Sequence, residues 1–112
     1  DAKTVGVSRE VFVRALSAEG VAFDPGYVEP LYLLPVFQRR VALGRDGFPF
    51  NLTDRQYNKG LCPVAERMHF AEEIGFGTCS YELTDALVDA IARVVHKVYE
   101  SRAELHQLES AA

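Results

Sequence analysis

The chain has 112 residues, 48% of them hydrophobic and 25% charged, with 16 acidic against 12 basic side chains and a formal net charge of -4. That length fits one domain with a modest core. The acidic balance excludes a nucleic-acid or anionic-membrane surface, because both need clustered positive charge and the longest basic run is Arg39-Arg40. No apolar run approaches the ~20 residues of a membrane-spanning helix.

In chain order, Val5 and Val7 alternate with Thr4 and Gly6 as a short strand remnant would. Ser8 has the chemistry of a helix N-cap, and Glu10 puts negative charge in the first turn. Val11, Phe12, Ala15 and Leu16 form an apolar stripe, and Gly20 suits the left-handed stop, so a helix is expected over about Arg9 to Glu19. Asp24-Pro25-Gly26 reads as a turn. Tyr27-Val28 and Leu31 to Leu34 are strand-like but broken by Pro30, which points to an edge. Val36 to Arg40 is expected to form a short helical turn after Pro35.

Val41 to Lys59 has no period, and its Phe48, Phe50 and Tyr57 suggest a long loop that packs on something. Pro63 suits the first position of a helix running to about Glu73, with Val64, Met68 and Ala71 as its buried face. Gly75 and Gly77 end it, and Phe76 to Tyr81 reads as a strand. Thr84 caps the best-defined helix, expected from Asp85 to about Leu105 or beyond, on the repeat Val88, Ile91, Val95, Val98. Ser110 to Ala112 is expected to fray. The whole reads as a mixed α/β domain with a small sheet of two or three strands covered by helices.

Few constellations carry chemistry. His96 and His106 read as solvated helix surface, and His69 as a satisfied or solvated histidine at a helix end, with a catalytic role the minor alternative. Cys62, His69, Cys79 and His96 have no tight ligand spacing, so no metal is expected, and both cysteines read as buried apolar thiols. Nothing else suggests a secreted disulfide scaffold, so reduced cytoplasmic thiols are expected. The triplet Asn51-Leu52-Thr53 matches a glycosylation sequon of the kind that arises often by chance. The start, Asp1-Ala2-Lys3-Thr4, has no apolar signal core, and without a Met it is expected to be a processed end or a cut within a longer chain. Glu66, Glu72 and Glu73 read as a solvated helix face. Tyr27, Tyr32, Arg39, Arg40, Tyr57, Lys59 and Arg67 are either core tyrosines plus surface bases or a polar rim for an anionic or hydroxylated ligand.

Two stretches are more specific. Glu29-Pro30-Leu31-Tyr32-Leu33-Leu34-Pro35-Val36-Phe37 is followed, about thirty residues on, by Gly60-Leu61-Cys62-Pro63-Val64-Ala65-Glu66-Arg67-Met68-His69, with Tyr57 and Lys59 just before. In this order they resemble the C-terminal small domain of the DegT/StrS family of pyridoxal-phosphate-dependent sugar aminotransferases. The helices at Ser8 to Val21 and Leu83 to Val98 are similar to that domain's but generic.

The resemblance implies a small, mainly antiparallel sheet covered by helices, as in the small domain of fold-type-I transferases. It implies an aminotransferase acting on a keto-sugar nucleotide or keto-cyclitol, with glutamate or glutamine as donor. The partners implied are a large pyridoxal-phosphate-binding domain and a second subunit in a homodimer, with no nucleic acid and no membrane. Tyr32 falls where the family places a Tyr or His near substrate, and Tyr57, Lys59 and Arg67 are candidate substrate contacts. No catalytic or cofactor-binding residue is expected here. Lys3, Lys59 and Lys97 lie outside the context the family uses for the coenzyme, so the chain alone is expected to be inactive. The alternatives are a free-standing binding or dimerisation module of the same fold, and an unrelated small enzyme built on His69.

Overall fold

Ser8 starts the first long helix in the computed structural model, which describes residues 2–41, 43–80 and 82–111. After a single turn, α1 (Ala2–Val5), the Ser8 hydroxyl accepts from Val11 N at 3.3 Å and opens α2 (Arg9–Ala18). Gly20 stops the helix with φ +91. The strand remnant expected at Thr4 to Val7 is therefore a helical turn leading into α2. Leu16 is completely buried and Val13 nearly so, while Val11, Phe12 and Ala15 are half-buried. The inward stripe is centred on Val13 and Leu16, three apart on one face.

The sheet has two antiparallel strands among the described residues, β1 (Phe23–Pro25) and β2 (Ile74–Phe76). Phe23 lies opposite Phe76, Asp24 opposite Gly75 and Pro25 opposite Ile74, with the Phe23 and Phe76 rings 5.3 Å apart. Asp24 and Pro25, expected in a turn, lie in the strand. Proline is tolerated there because in a two-stranded ribbon every strand is an edge. The turn comes one residue later, at Gly26 (φ +77), whose N–H donates to Glu73 O at 2.9 Å. β2 ends at Phe76, where its short partner ends, and Thr78–Ser80 forms a 3-10 turn instead of continuing the expected strand; Tyr81 lies outside the described residues.

The strand-like run Tyr27 to Leu34 is also not a strand. Leu31–Leu33 is a 3-10 turn and α3 (Pro35–Gln38) follows at once. Pro30 and Pro35 fix φ and remove two ladder donors, and each instead initiates a turn. The expected turn after Pro35 is thus present. Val41 to Lys59 is largely irregular, with one isolated bridge (Leu43 N to Phe48 O, 2.9 Å), a cis Phe48–Pro49 peptide and a 3-10 turn at Phe50–Leu52.

Pro63 opens α4 (Pro63–Arg67), which runs directly into a π-helical turn at Met68–Glu72. Together these span the helix expected to Glu73. The wider turn carries an extra residue, so a stripe at three- and four-residue spacing does not persist through it. Val64 and Met68 are 57% and 47% exposed, against expectation, and Glu66 is the buried residue of α4 at 8%.

Thr84 caps α5 (Asp85–Glu100) by accepting from Leu87 N at 3.3 Å. The chain bends at Ser101 and continues as α6 (Arg102–Ser110), so the single expected helix is two. Ser110 closes the last turn of α6, its hydroxyl donating to His106 O at 2.9 Å. Both α5 and α6 touch α2, which also covers β1. Few apolar residues are buried among the described residues: Val7, Val13, Leu16 and Val98 around these helices, and Phe50 in the loop region. The radius of gyration is 19.2 Å, where a closely packed chain of this length has about 13 Å. The fold is open, and many large apolar side chains face outward. No helix among the described residues is long and apolar enough to cross a membrane.

Candidate functional site

The two specific stretches meet at Glu66. Its carboxylate accepts the Tyr32 hydroxyl proton, and Oε1 also accepts from Gly60 N at 2.6 Å. The Tyr32 hydroxyl in turn accepts from Cys62 N at 3.3 Å. Gly60, with φ +98, bends the chain so that its N–H faces the carboxylate. Residues 29–37 and 57–67 are thereby clasped through one buried acid.

The electrostatics follow from this geometry. The Tyr32 hydrogen bond holds the Glu66 carboxyl below its ordinary value, helped by backbone N–H groups of Gly60 and Cys62 and by the Lys59 charge; these outweigh partial burial, which pushes the other way. Desolvation, then the proton shared with Glu66, pushes the Tyr32 phenol up. At neutral pH the pair is an ionised carboxylate beside a neutral phenol. The phenol proton is committed to Glu66.

Gln38 makes a second tie. Its amide donates to Tyr32 O and to Tyr57 O, each at 2.7 Å. The Tyr57 ring packs between Phe37 (5.3 Å) and Phe50 (5.8 Å), and those two rings are 5.6 Å apart edge-on. Tyr57 is therefore half-buried in an aromatic cluster. Lys59 lies with its ammonium 4.8 Å from the Phe70 ring centre. Arg67 pairs with Glu72 at 2.9 Å on the exposed side of the helix. Tyr32 and Tyr57 thus belong to one joint, while Lys59 rests on Phe70 and Arg67 pairs with Glu72. A shallow concavity of about 300 Å³, lined by Pro35, Val36, Arg39 and Val41, opens on the same segment.

Arg40 organises the loop behind this joint. It sits in the left-handed region (φ +53), and its guanidinium donates to Arg55 O at 2.8 Å, to Phe50 O at 2.5 Å and to Thr53 O. A planar fork of donors suits three converging carbonyls. Of the wider aromatic and basic set, Tyr27 is 82% exposed and takes no part in the joint.

The remaining candidates separate clearly. His69 is half-buried at the end of the β1–β2 ribbon, where Arg9 donates to its carbonyl at 2.6 Å and its Nδ1 has no partner. His96 and His106 are exposed, and His96 lies 3.6 Å from Glu100. Cys62 and Cys79 are free thiols, both exposed, which corrects the expectation of buried apolar cysteines. No group of three or more His, Cys, Asp or Glu is placed to hold a metal among the described residues. Lys59 rests on Phe70 and Lys97 pairs with Glu19 at 2.6 Å, so both ammonium groups are engaged at the surface rather than buried as an amine anchor for a coenzyme would be.

Sequence reasoning missed Glu66, reading it with Glu72 and Glu73 as a solvated face. A carboxylate four residues into a helix that begins Gly-Leu-Cys-Pro can reach the unpaired N–H groups of its own entrance turn, and that signal was present. It also missed Gln38, and it read Arg40 as a surface base or a ligand rim where Arg40 instead binds loop carbonyls, because both roles depend on long-range folding. No family model, curated protein or solved structure matches the chain.

Proposed function

We propose that this chain is the small domain of a pyridoxal-phosphate-dependent aminotransferase acting on a keto-sugar nucleotide or keto-cyclitol, and that it forms a wall of the active site while holding no catalytic group of its own. The observation that supports the reading is the Glu66 clasp. The two stretches that carry the resemblance are separated by about twenty residues of irregular chain, yet they share one buried acid and one bridging amide. A functional wall needs that kind of rigid support.

In this reading Tyr32 faces the sugar. Its proton is held by Glu66, so the phenol oxygen can only accept, and it accepts from a substrate hydroxyl or amine. Lys59, whose charge is felt at Glu66, attracts the phosphates of a nucleotide. Tyr57 supports both through the aromatic cluster, and Arg67 lies at the rim. The coenzyme, which supplies an electron sink for amino transfer, belongs to the large domain. The enzyme is a homodimer and works in the cytoplasm, where Cys62 and Cys79 stay reduced.

The test is to express the complete reading frame that encodes this chain and assay amino transfer from glutamate or glutamine to keto-sugar nucleotides and keto-cyclitols. The expected result is a coenzyme-containing transaminase in which Tyr32→Ala raises KM for the sugar far more than for the donor. A product that binds no coenzyme would leave a binding or dimerisation module in its place.

A further inference from the structure

The start of α2 is completed from the far end of the chain. In a capping box the N-cap hydroxyl accepts from the N–H three residues on, and a Glu or Gln at that third position accepts the N-cap N–H in return. Ser8 makes the first bond, with Val11, but a valine side chain cannot return the second. Glu109 returns it instead: its Oε2 accepts from Ser8 N at 3.3 Å, across 101 positions of sequence. The box is split between α2 and α6.

Little else holds α6 in place. None of its residues is fully buried, and Leu108 is 69% exposed. A gap of about 540 Å³ opens between the two helices beside Val11, Ala15, Leu105 and Leu108, so their apolar faces meet incompletely. Ser101 ends α5 and gives α6 no side-chain cap, which makes the junction a bend and not a continuous helix. Among the described residues, the hydrogen bonds from α6 to the start of α2 all run through Glu109.

We propose that α6 is a hinged arm, latched to the start of α2 by Glu109, and that it swings about Ser101 when the Glu109 charge is lost or meets a like charge. Release uncovers Leu105 and the Val11 and Ala15 side of α2, while α5 keeps its own seat on α2. The device does not depend on any catalytic role.

The charges around the latch favour the closed arm. The Ser8 hydroxyl and N–H hold the Glu109 carboxyl below its ordinary value, against partial burial, and the positive charges of protonated His106 and of Arg14 add to the effect. Glu10, the other acid on this rim, is paired with Arg9 at 3.1 Å. The latch is complete above pH 4.5 and is lost as pH falls through the depressed value.

Hydrogen exchange read by mass spectrometry on the whole chain tests this. Ser8→Asp is the informative variant. Asp caps a helix as well as Ser does, so α2 keeps its start, while the new carboxylate faces Glu109. The expected result is exchange about tenfold faster across α6, the scale of one hydrogen bond to a charged group, with α5 unchanged. Glu109→Ala alone speeds α6 in the same way, and adding Glu109→Lys to Ser8→Asp restores slow exchange. The inference is overturned if α6 of the unaltered protein exchanges as fast as unfolded chain, or if Ser8→Asp leaves α6 unchanged or speeds α5 equally. It is overturned too if adding Glu109→Lys brings no rescue.

Discussion

The Tyr32 hydroxyl donates its proton to the Glu66 carboxylate across 34 positions of sequence, and this contact fastens the turn at Leu31–Leu33 to the entrance of α4. The same carboxylate holds Gly60 N, so one side chain fixes both the tyrosine and the loop that precedes the helix.

Removing that acid should loosen both segments. Glu66→Ala leaves the Gly60 N–H and the Tyr32 hydroxyl without their acceptor, and a lower melting temperature is expected. Hydrogen exchange at Gly60 and Cys62 should speed up in the variant more than exchange in α5, which the clasp does not touch.

The clasp also sets a pH window. The folded Glu66 carboxyl titrates below 4.5, so its stabilisation is complete above pH 4.5 and is lost as pH falls through the depressed value. The folded Tyr32 phenol titrates above 10.0, so its share is complete below pH 10.0 and is lost as pH rises through the raised value. Urea midpoints measured across pH should fall off at both ends, and Glu66→Gln should flatten the acid limb.

The core is small enough that one residue dominates it. Leu16 is the only fully buried large side chain among the described residues, and Leu16→Ala should cost about 2–5 kcal/mol. Because the chain buries only a handful of apolar residues, that loss is expected to unfold the α2, α5 and α6 packing, seen as a collapse of helicity by circular dichroism.

Much of this architecture was legible locally. The caps at Ser8 and Thr84 and the proline starts at Pro35 and Pro63 depend on residues within one helical turn, and each is present. The β1–β2 pairing was not legible: Phe23–Pro25 and Ile74–Phe76 are three residues each, and only their mutual register, fifty positions apart, makes them strands. The apolar face assigned to Val64, Met68 and Ala71 failed because a π-turn follows Arg67, which residue spacing does not announce. For the candidate site, Tyr32 and Tyr57 are brought together through Glu66 and Gln38, partners that sequence separation concealed, while Lys59 rests on Phe70.

Both N-caps should be worth measuring as single variants. Ser8→Ala and Thr84→Ala are each expected to cost about 1 kcal/mol in chemical denaturation.

Arg40 supplies a different kind of check. Arg40→Lys keeps the charge but loses the fork that gathers the Phe50, Thr53 and Arg55 carbonyls. Limited proteolysis should then cut between residues 50 and 59 several times faster, with α5 and α6 unaffected.

The central claim is that this chain walls an aminotransferase site whose coenzyme is anchored elsewhere. Borohydride reduction of the complete encoded protein in the presence of pyridoxal phosphate, followed by mass spectrometry of its peptides, addresses it directly. The account predicts a reduced adduct on a lysine outside these 112 residues. An adduct confined to Lys3, Lys59 or Lys97, or none on any lysine, would contradict it.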